Sequence, residues 1–347
     1  MLYAFELSGE HDELPRKEIL SSLRLAGFGF KEHAHLDQCL VVDIEGYVPD
    51  IDMRLTAVAE RLAMSHHIVR VAGMCDVVTE DIISLAEDCD ISEHIVSGST
   101  YLVRSKRIKH YGNEVKREEI ESRIGGIIYR KGYRANLRSP DVEFRLIITD
   151  RAVFGSVVAS VDRSTYEQRA PHKKPFFYPG VLMPRVARAL VNISEVKPGE
   201  VLLDPFSGTA GILVEAGMLS VHVIGLEVRQ MIAHGARMNL EMFGADYSFL
   251  VGDACRVPLK DCSVDAIATD PPYGRSAAIK AESLHHLYLD SFSEMYRVLK
   301  KGRLAVVVSE IPVLEYATDA GFSVVDVFTQ RVHKSLTRTF TVLRKDR

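Results

Sequence analysis

The chain has 347 residues, of which 47% are apolar and 26% charged, the balance of a folded protein and not of a disordered, collagen-like or coiled-coil chain; at about 150 residues per domain it should hold two or three domains. Apolar runs such as LAVVV at 304–308 are far shorter than the roughly 20 residues of a membrane helix. Residues 1–8 lack a secretory pattern, and the five cysteines (39, 75, 89, 255 and 262) match no zinc or disulfide spacing, so a cytoplasmic protein without a metal site or a membrane partner is expected. Net charge is −4, yet residues 104–185 hold 18 Lys/Arg against 9 Asp/Glu, a basic block in an acidic protein that favours a polyanionic partner over simple solvation.

In chain order, the first segment reads as strand YAFELSG (3–9), a helix from Pro15 to Leu25, strand CLVVDIEG (39–46) and a helix over 51–64 with Ile51, Leu55, Val58 and Leu62 on one face. Next come strand IVRVAGMCDV, a helix near 80–89, strand TYLVRSKRIK (100–109) and a helix from Lys116 to Tyr129. Two β-rich runs follow, with an SPD turn (139–141) between them. The pattern predicts an α+β domain over 1–64, a second over 65–161, and a linker over 162–181 rich in Pro, aromatic and basic residues. From 182 to 347 short apolar strands alternate with amphipathic helices, which predicts a doubly wound, mostly parallel α/β sheet.

Such sheets bind ligands beyond the carboxyl ends of their strands. Here the strand ends read Asp204-Pro-Phe-Ser-Gly-Thr-Ala-Gly211, Gly225-Leu-Glu227, Gly252-Asp253-Ala254 and Asp270-Pro-Pro-Tyr-Gly274. A carboxylate at each of them is hard to assign to packing. Phe206 stands where a dinucleotide fingerprint needs glycine, so Gly208 and Gly211 suit a nucleoside without a pyrophosphate. Asp204 near an ammonium, Glu227 on ribose hydroxyls and Asp253 on an adenine amine match the groups of S-adenosylmethionine, with Phe206, Thr209 and Ala254 completing the pocket. In Asp270-Pro271-Pro272-Tyr273 the prolines remove two amide donors. The Asp270 carboxylate and the carbonyls of Asp270 and Pro271 can then accept from an exocyclic amine, and stabilise its charge during methyl transfer. Tyr273 offers a face for base stacking. Arg104, Lys106 and Arg107 on a strand, with Arg130, Lys131, Arg134 and Arg138 beyond it, are the candidate phosphate contacts.

On these motifs, residues 182–347 resemble a Rossmann-like class I S-adenosylmethionine-dependent methyltransferase of the amino-methylating kind. Residues 123–160 resemble a THUMP RNA-binding module, and the segment before them its ferredoxin-like partner. With HKKPFFYPGVLMPRVARALVNIS, the layout is similar to the archaeal tRNA guanine-10 methyltransferases. Glu227 replaces the aspartate of many members, which should keep the ribose contact. The resemblance implies methylation of the 2-amino group of guanosine 10 in tRNA, once or twice. It also implies a small zinc-binding activator subunit, for which strand 248–253, read as a sheet edge, is the expected docking site. Two rivals stand beside it: an amino methyltransferase of adenine or cytosine in DNA or rRNA, and a non-catalytic RNA-binding relic.

Overall fold

A computed structural model of the chain describes residues 1–273, 281–333 and 336–346; Gly274 of the fourth motif lies outside them. The N-terminal part runs β1 (Leu2–Leu7), α1 (Leu14–Leu25), β2 (Phe30–Leu36), β3 (Cys39–Ile44), α2 (Ile51–Arg61), β4 (Ser65–Cys75), α3 (Thr79–Asp88), β5 (Thr100–Arg107), α4 (Arg117–Arg130), β6 (Arg134–Ala135), β7 (Val142–Ile148) and β8 (Ala152–Ser160). Its strands form one eight-stranded sheet in the order β2-β3-β1-β4-β8-β7-β5-β6. Residues 1–64 and 65–161 therefore share a sheet, joined where β1 pairs antiparallel with β4. Apolar residues of α3 and α4 (Ile82, Ala86, Ile120, Ile124 and Ile127) bury against Phe144 and Phe154, whose rings stack at 5.7 Å.

The C-terminal part runs α5 (Ser164–Gln168), α6 (Pro184–Ile193), β9 (Val201–Asp204), α7 (Gly211–Gly217), β10 (His222–Glu227), α8 (Gln230–Met242), β11 (Tyr247–Val251), β12 (Ala266–Thr269), α9 (Ala281–Val298), β13 (Leu304–Ser309), α10 (Leu314–Asp319), β14 (Ser323–His333) and β15 (Leu336–Arg344). The seven-stranded sheet has the order β11-β10-β9-β12-β13-β15-β14. β9 to β13 run parallel, while β15 runs antiparallel to both β13 and β14. This is the α/β, doubly wound, mostly parallel architecture expected from the alternation of apolar strands and helices. One face is covered by α6, α7 and α8 through residues such as Leu190, Leu213 and Leu240; the other is covered by α9 and α10 through Phe292, Met295 and Ala317.

The chain divides into two compact units, Met1–Glu10 with Ala26–Glu60 and Ser65–Asp162, and His11–Leu25 with Arg61–Met64 and the chain from Arg163 onward. Helix α1 thus belongs with the C-terminal sheet, and a buried carboxylate explains why. Glu18 accepts from the amides of Ala63 and Met64 (both 2.9 Å) and from Asn192 Nδ2 (2.8 Å). Burial pushes its carboxyl up to about 7. Beside it, Glu215 of α7 is fully buried between Arg169 (2.7 Å) and Arg188 (3.0 Å), both lying over the Tyr166 ring. Losing either arginine would leave a charge buried with half its compensation, the costly outcome for such groups.

Candidate active site

β9 is flanked by β10 on one side and β12 on the other. The chain continues outward to β11 on the first side and to β13 on the second, so the strand order reverses between β9 and β12. A crevice opens at such a reversal, and the two motifs with the strongest chemistry, at Asp204 and Asp270, stand there.

The turn after β9 is organised around Asp204. Its Oδ1 accepts from the Phe206 amide (3.1 Å) and from the Thr269 hydroxyl (2.6 Å), which ties the end of β9 to the end of β12. Ser207 closes the turn, its hydroxyl donating to the Asp204 carbonyl (2.7 Å) and its amide to the Leu226 carbonyl (3.0 Å). Ala210, at the start of α7, is held in the left-handed region at φ 64, as is Gly208 at φ 49. A β-carbon there costs on the order of 1 kcal/mol, a strain of the kind that collects at ligand-binding turns. Burial pushes the Asp204 carboxyl up to about 7, against the pull of the Thr269 and Phe206 donors, and the charge of Glu227 adds to the rise.

Glu227, 8% exposed, ends β10. Its Oε1 accepts from the Arg229 amide (2.9 Å) and Nε (3.2 Å). Arg229 lies over the ring of Tyr178 at 5.1 Å, which brings the 162–181 segment to this strand end. A second tie anchors the same segment. Asn239, fully buried on α8, accepts from the Phe176 amide (3.0 Å) and donates to the carbonyls of Phe176 (2.9 Å) and Thr209 (3.0 Å). One turn earlier, Gly235 makes room for the Phe176 ring: a β-carbon there would lie 2.1 Å from Phe176 Cγ. Thr209 and Ala254 are buried and Gly211 opens α7, whereas Asp253 is exposed and its Oδ1 accepts from the Cys255 amide (2.9 Å).

At the end of β12, Pro271 is buried and Tyr273 half-buried. Burial pushes the Asp270 carboxyl up to about 8; Arg338 acts to lower it, while Asp204 and Glu310 raise it further. The Tyr273 hydroxyl donates to Asp270 Oδ1, a contact that reading its ring as a stacking surface did not foresee. Tyr288 of α9 donates to the Pro272 carbonyl (3.1 Å) and stacks on Phe292 at 6.1 Å, so the double-proline turn is pinned to the core. Thr269, Tyr288 and Asn239 had no signal in the sequence, because each acts on a turn or segment distant along the chain; Arg229 is only two residues from Glu227, but the Tyr178 ring that it covers lies far from it in the sequence.

The basic block divides by partner. Arg104 and Arg130 stand 3.8 Å from Glu121 and Glu87, Arg107 donates to the Val115 carbonyl, and Lys131 Nζ donates to the carbonyls that close α3, including that of Glu87 at 2.6 Å. Lys106, Arg134 and Arg138 are exposed. β11 is the sheet edge and ends at Val251, with Phe249 buried and Leu250 and Val251 exposed. Among the described residues no His/Cys/Asp/Glu group could hold a metal ion, and no helix is long and apolar enough to cross a membrane.

A family model for the RMKL-like, methyltransferase domain matches residues 171–339. The chain is 34% identical to the tRNA (guanine(10)-N2)-dimethyltransferase of Methanothermobacter thermautotrophicus over 98% of each chain, and 34% identical to the enzyme of the same name from Pyrococcus abyssi over 99% of each. Its fold is similar to that of TrmN from Thermus thermophilus, with a TM-score of 0.55 and 21% identity over 99% of this chain and 100% of that one. With likeness running the full length of the chain and the two motifs meeting at the sheet's switch point, this protein belongs to the tRNA (guanine(10)-N2)-dimethyltransferase family.

Proposed function

We propose that this protein transfers methyl groups from S-adenosylmethionine to the 2-amino group of a guanosine in tRNA, guanosine 10, adding one or two. The observation that carries the reading is the Asp270-Pro271-Pro272-Tyr273 turn, held at the switch point beside Asp204 by Thr269 and Tyr288. The residues present suit the cofactor: the buried carboxyl of Asp204 is raised by burial, and a cationic ligand is what restores its charge. Asp204, Phe206, Gly208, Thr209, Gly211, Glu227, Asp253 and Ala254 would hold it, with Glu227 on the ribose and Asp253 on the adenine amine. When bound, S-adenosylmethionine supplies an electrophilic methyl group.

Asp270 and the Pro271 carbonyl accept the two hydrogens of the target amine, which leaves its lone pair free to attack. As the nitrogen gains positive charge, the Asp270 carboxylate binds it more strongly than it bound the neutral amine, so the acceptor lowers the barrier and not merely the binding energy. The same carboxylate takes the proton that the nitrogen releases once the N–C bond has formed. The 1–161 region, read as a ferredoxin-like domain followed by a THUMP module, would supply the tRNA-binding face through exposed Lys106, Arg134 and Arg138. Arg104, Arg107, Arg130 and Lys131 would exchange internal partners for phosphate.

The open edge of β11, beside Met231, Met238 and Met242 exposed on α8, supports docking of a small zinc-binding activator. A cytoplasmic location accords with a tRNA substrate. Incubation of the purified chain with labelled cofactor and either tRNA or duplex DNA tests the reading. Label on tRNA guanine is expected; label on DNA adenine or cytosine alone would favour the rival chemistry.

A further inference from the structure

Beyond Asp270, the face of the C-terminal sheet that carries Ala266, Ala268, Val306, Val308, Phe328, Phe340 and Val342 is a single apolar core, with the Phe328 and Phe340 rings stacked at 5.0 Å. Two residues further along β14 and β15, on the same face, the pattern turns polar at Gln330 and Arg338, which pair across the two strands. Because Ser309, the last residue of β13, pairs with Thr339, Arg338 lies just past the carboxyl end of the parallel strands, where the target base must enter. Both residues have unmet bonding needs. Arg338 Nε and Gln330 Oε1 are buried without a hydrogen-bond partner, a condition that is rare and costly. Arg338 also stands within electrostatic reach of Asp270, as the leading influence that opposes the effect of burial there.

We propose that Arg338 reads the 6-oxygen of the target guanine and so selects guanine over adenine. This rests on the assignment of Asp270 to the 2-amino group. In guanine the 2-amino group, N1–H and 6-oxygen lie along one edge, so a base held by Asp270 points its 6-oxygen away from β12. β15 lies two strands from β12, about 9–10 Å between backbones, a gap that an arginine side chain and a purine edge together fill. Arginine only donates hydrogen bonds. Guanine offers an acceptor at the 6-position, whereas adenine presents an amine there, a donor facing a donor. A site with a buried donor built for one acceptor strongly rejects bases that lack it, because the donor is left unpaired.

Single-turnover transfer should be compared on two tRNAs, one native and one with 2-aminopurine at the target nucleotide, which keeps the 2-amino group and lacks the 6-oxygen. Wild type should favour guanine by about 10- to 100-fold. With each protein taken at its own high-pH plateau, so that the loss of the Arg338 charge beside Asp270 does not enter the comparison, R338A and R338M should lose about that factor on guanine, change by less than about two-fold on 2-aminopurine, and bind cofactor normally by calorimetry. R338K, which keeps a donor, should recover part of the preference. Equal losses on both substrates would make Arg338 a structural residue and overturn the proposal. So would a wild type that does not distinguish the two bases, a result that needs no folded variant. Failure of the wild type to label native tRNA would instead overturn the assignment of Asp270, and with it the function on which this inference is built.

Discussion

Asp270 should make methyl transfer depend on pH in a way an ordinary carboxylate cannot. Burial lifts its carboxyl from the usual 3.8 to about 8, a bias of on the order of 6 kcal/mol toward the neutral form at about 1.4 kcal/mol per unit. A group titrating near 8 is only about one-tenth ionised at pH 7. In the proposed mechanism the ionised form accepts the amine hydrogens and the departing proton, and an acid ionises as pH rises, so activity should rise with pH. kcat/KM for tRNA, measured from pH 5.5 to 9.5 at saturating cofactor, should climb about tenfold per unit to a plateau. Its midpoint should fall near 8, well above the ordinary carboxylate range. Asp270→Asn keeps an acceptor oxygen and no charge, so it should retain part of the rate and lose the slope. Asp270→Ala should lose about 10²–10³ of the plateau rate, with cofactor affinity nearly intact. A wild-type profile flat across this range, or an alanine variant down only a few-fold, would refute the role.

Glu227→Ala and Asp253→Ala should each weaken cofactor binding by about 1.5–3 kcal/mol, the usual worth of a hydrogen bond to a charged group, with unchanged affinity by titration calorimetry in both counting against this pocket. Gly235→Ala must expel the Phe176 ring from α8, so it should cost about 1–3 kcal/mol in thermal unfolding and weaken cofactor affinity through the loosened 176–178 segment; a tryptophan placed at Phe177, in a chain with none, would report the displacement by fluorescence. Charge reversal of Lys106, Arg134 or Arg138 should weaken tRNA binding and flatten its salt dependence without altering cofactor affinity, and unchanged binding across a salt titration would make these residues a solvated surface.

Much of the candidate site could be placed from the sequence because it is carried by short, contiguous motifs. Strand ends are marked by the switch from apolar run to turn residues, so Asp204, Glu227 and Asp270 were found where the structure has them. What supports them was not, since support crosses the sheet. Thr269 belongs to an apolar strand and shows its purpose only through Asp204. Arg338 reads as one more surface cation in a β-rich tail until the register of β13, β14 and β15 puts it just past the carboxyl end of the parallel strands. β2, FKEHAHL, escaped because it is an edge strand whose charged and histidine side chains face solvent, which erases the apolar alternation that marks a strand. Glu18 carries no sequence signal of its role: it is a charged residue on an amphipathic helix, yet it is buried and anchors α1 to the C-terminal unit. Lys131 shows the same limit within the basic block. Composition counts its charge, but its position closing α3 was visible only in three dimensions.

The central claim is the identity of the methylated atom, and nucleoside mass spectrometry addresses it directly. tRNA incubated with the purified chain and methyl-labelled S-adenosylmethionine, then digested to nucleosides, should yield labelled N2-methylguanosine and N2,N2-dimethylguanosine, with fragment mapping placing the label at position 10. Label on adenosine or cytidine, or on guanosine at an atom other than the 2-amino nitrogen, would contradict the account.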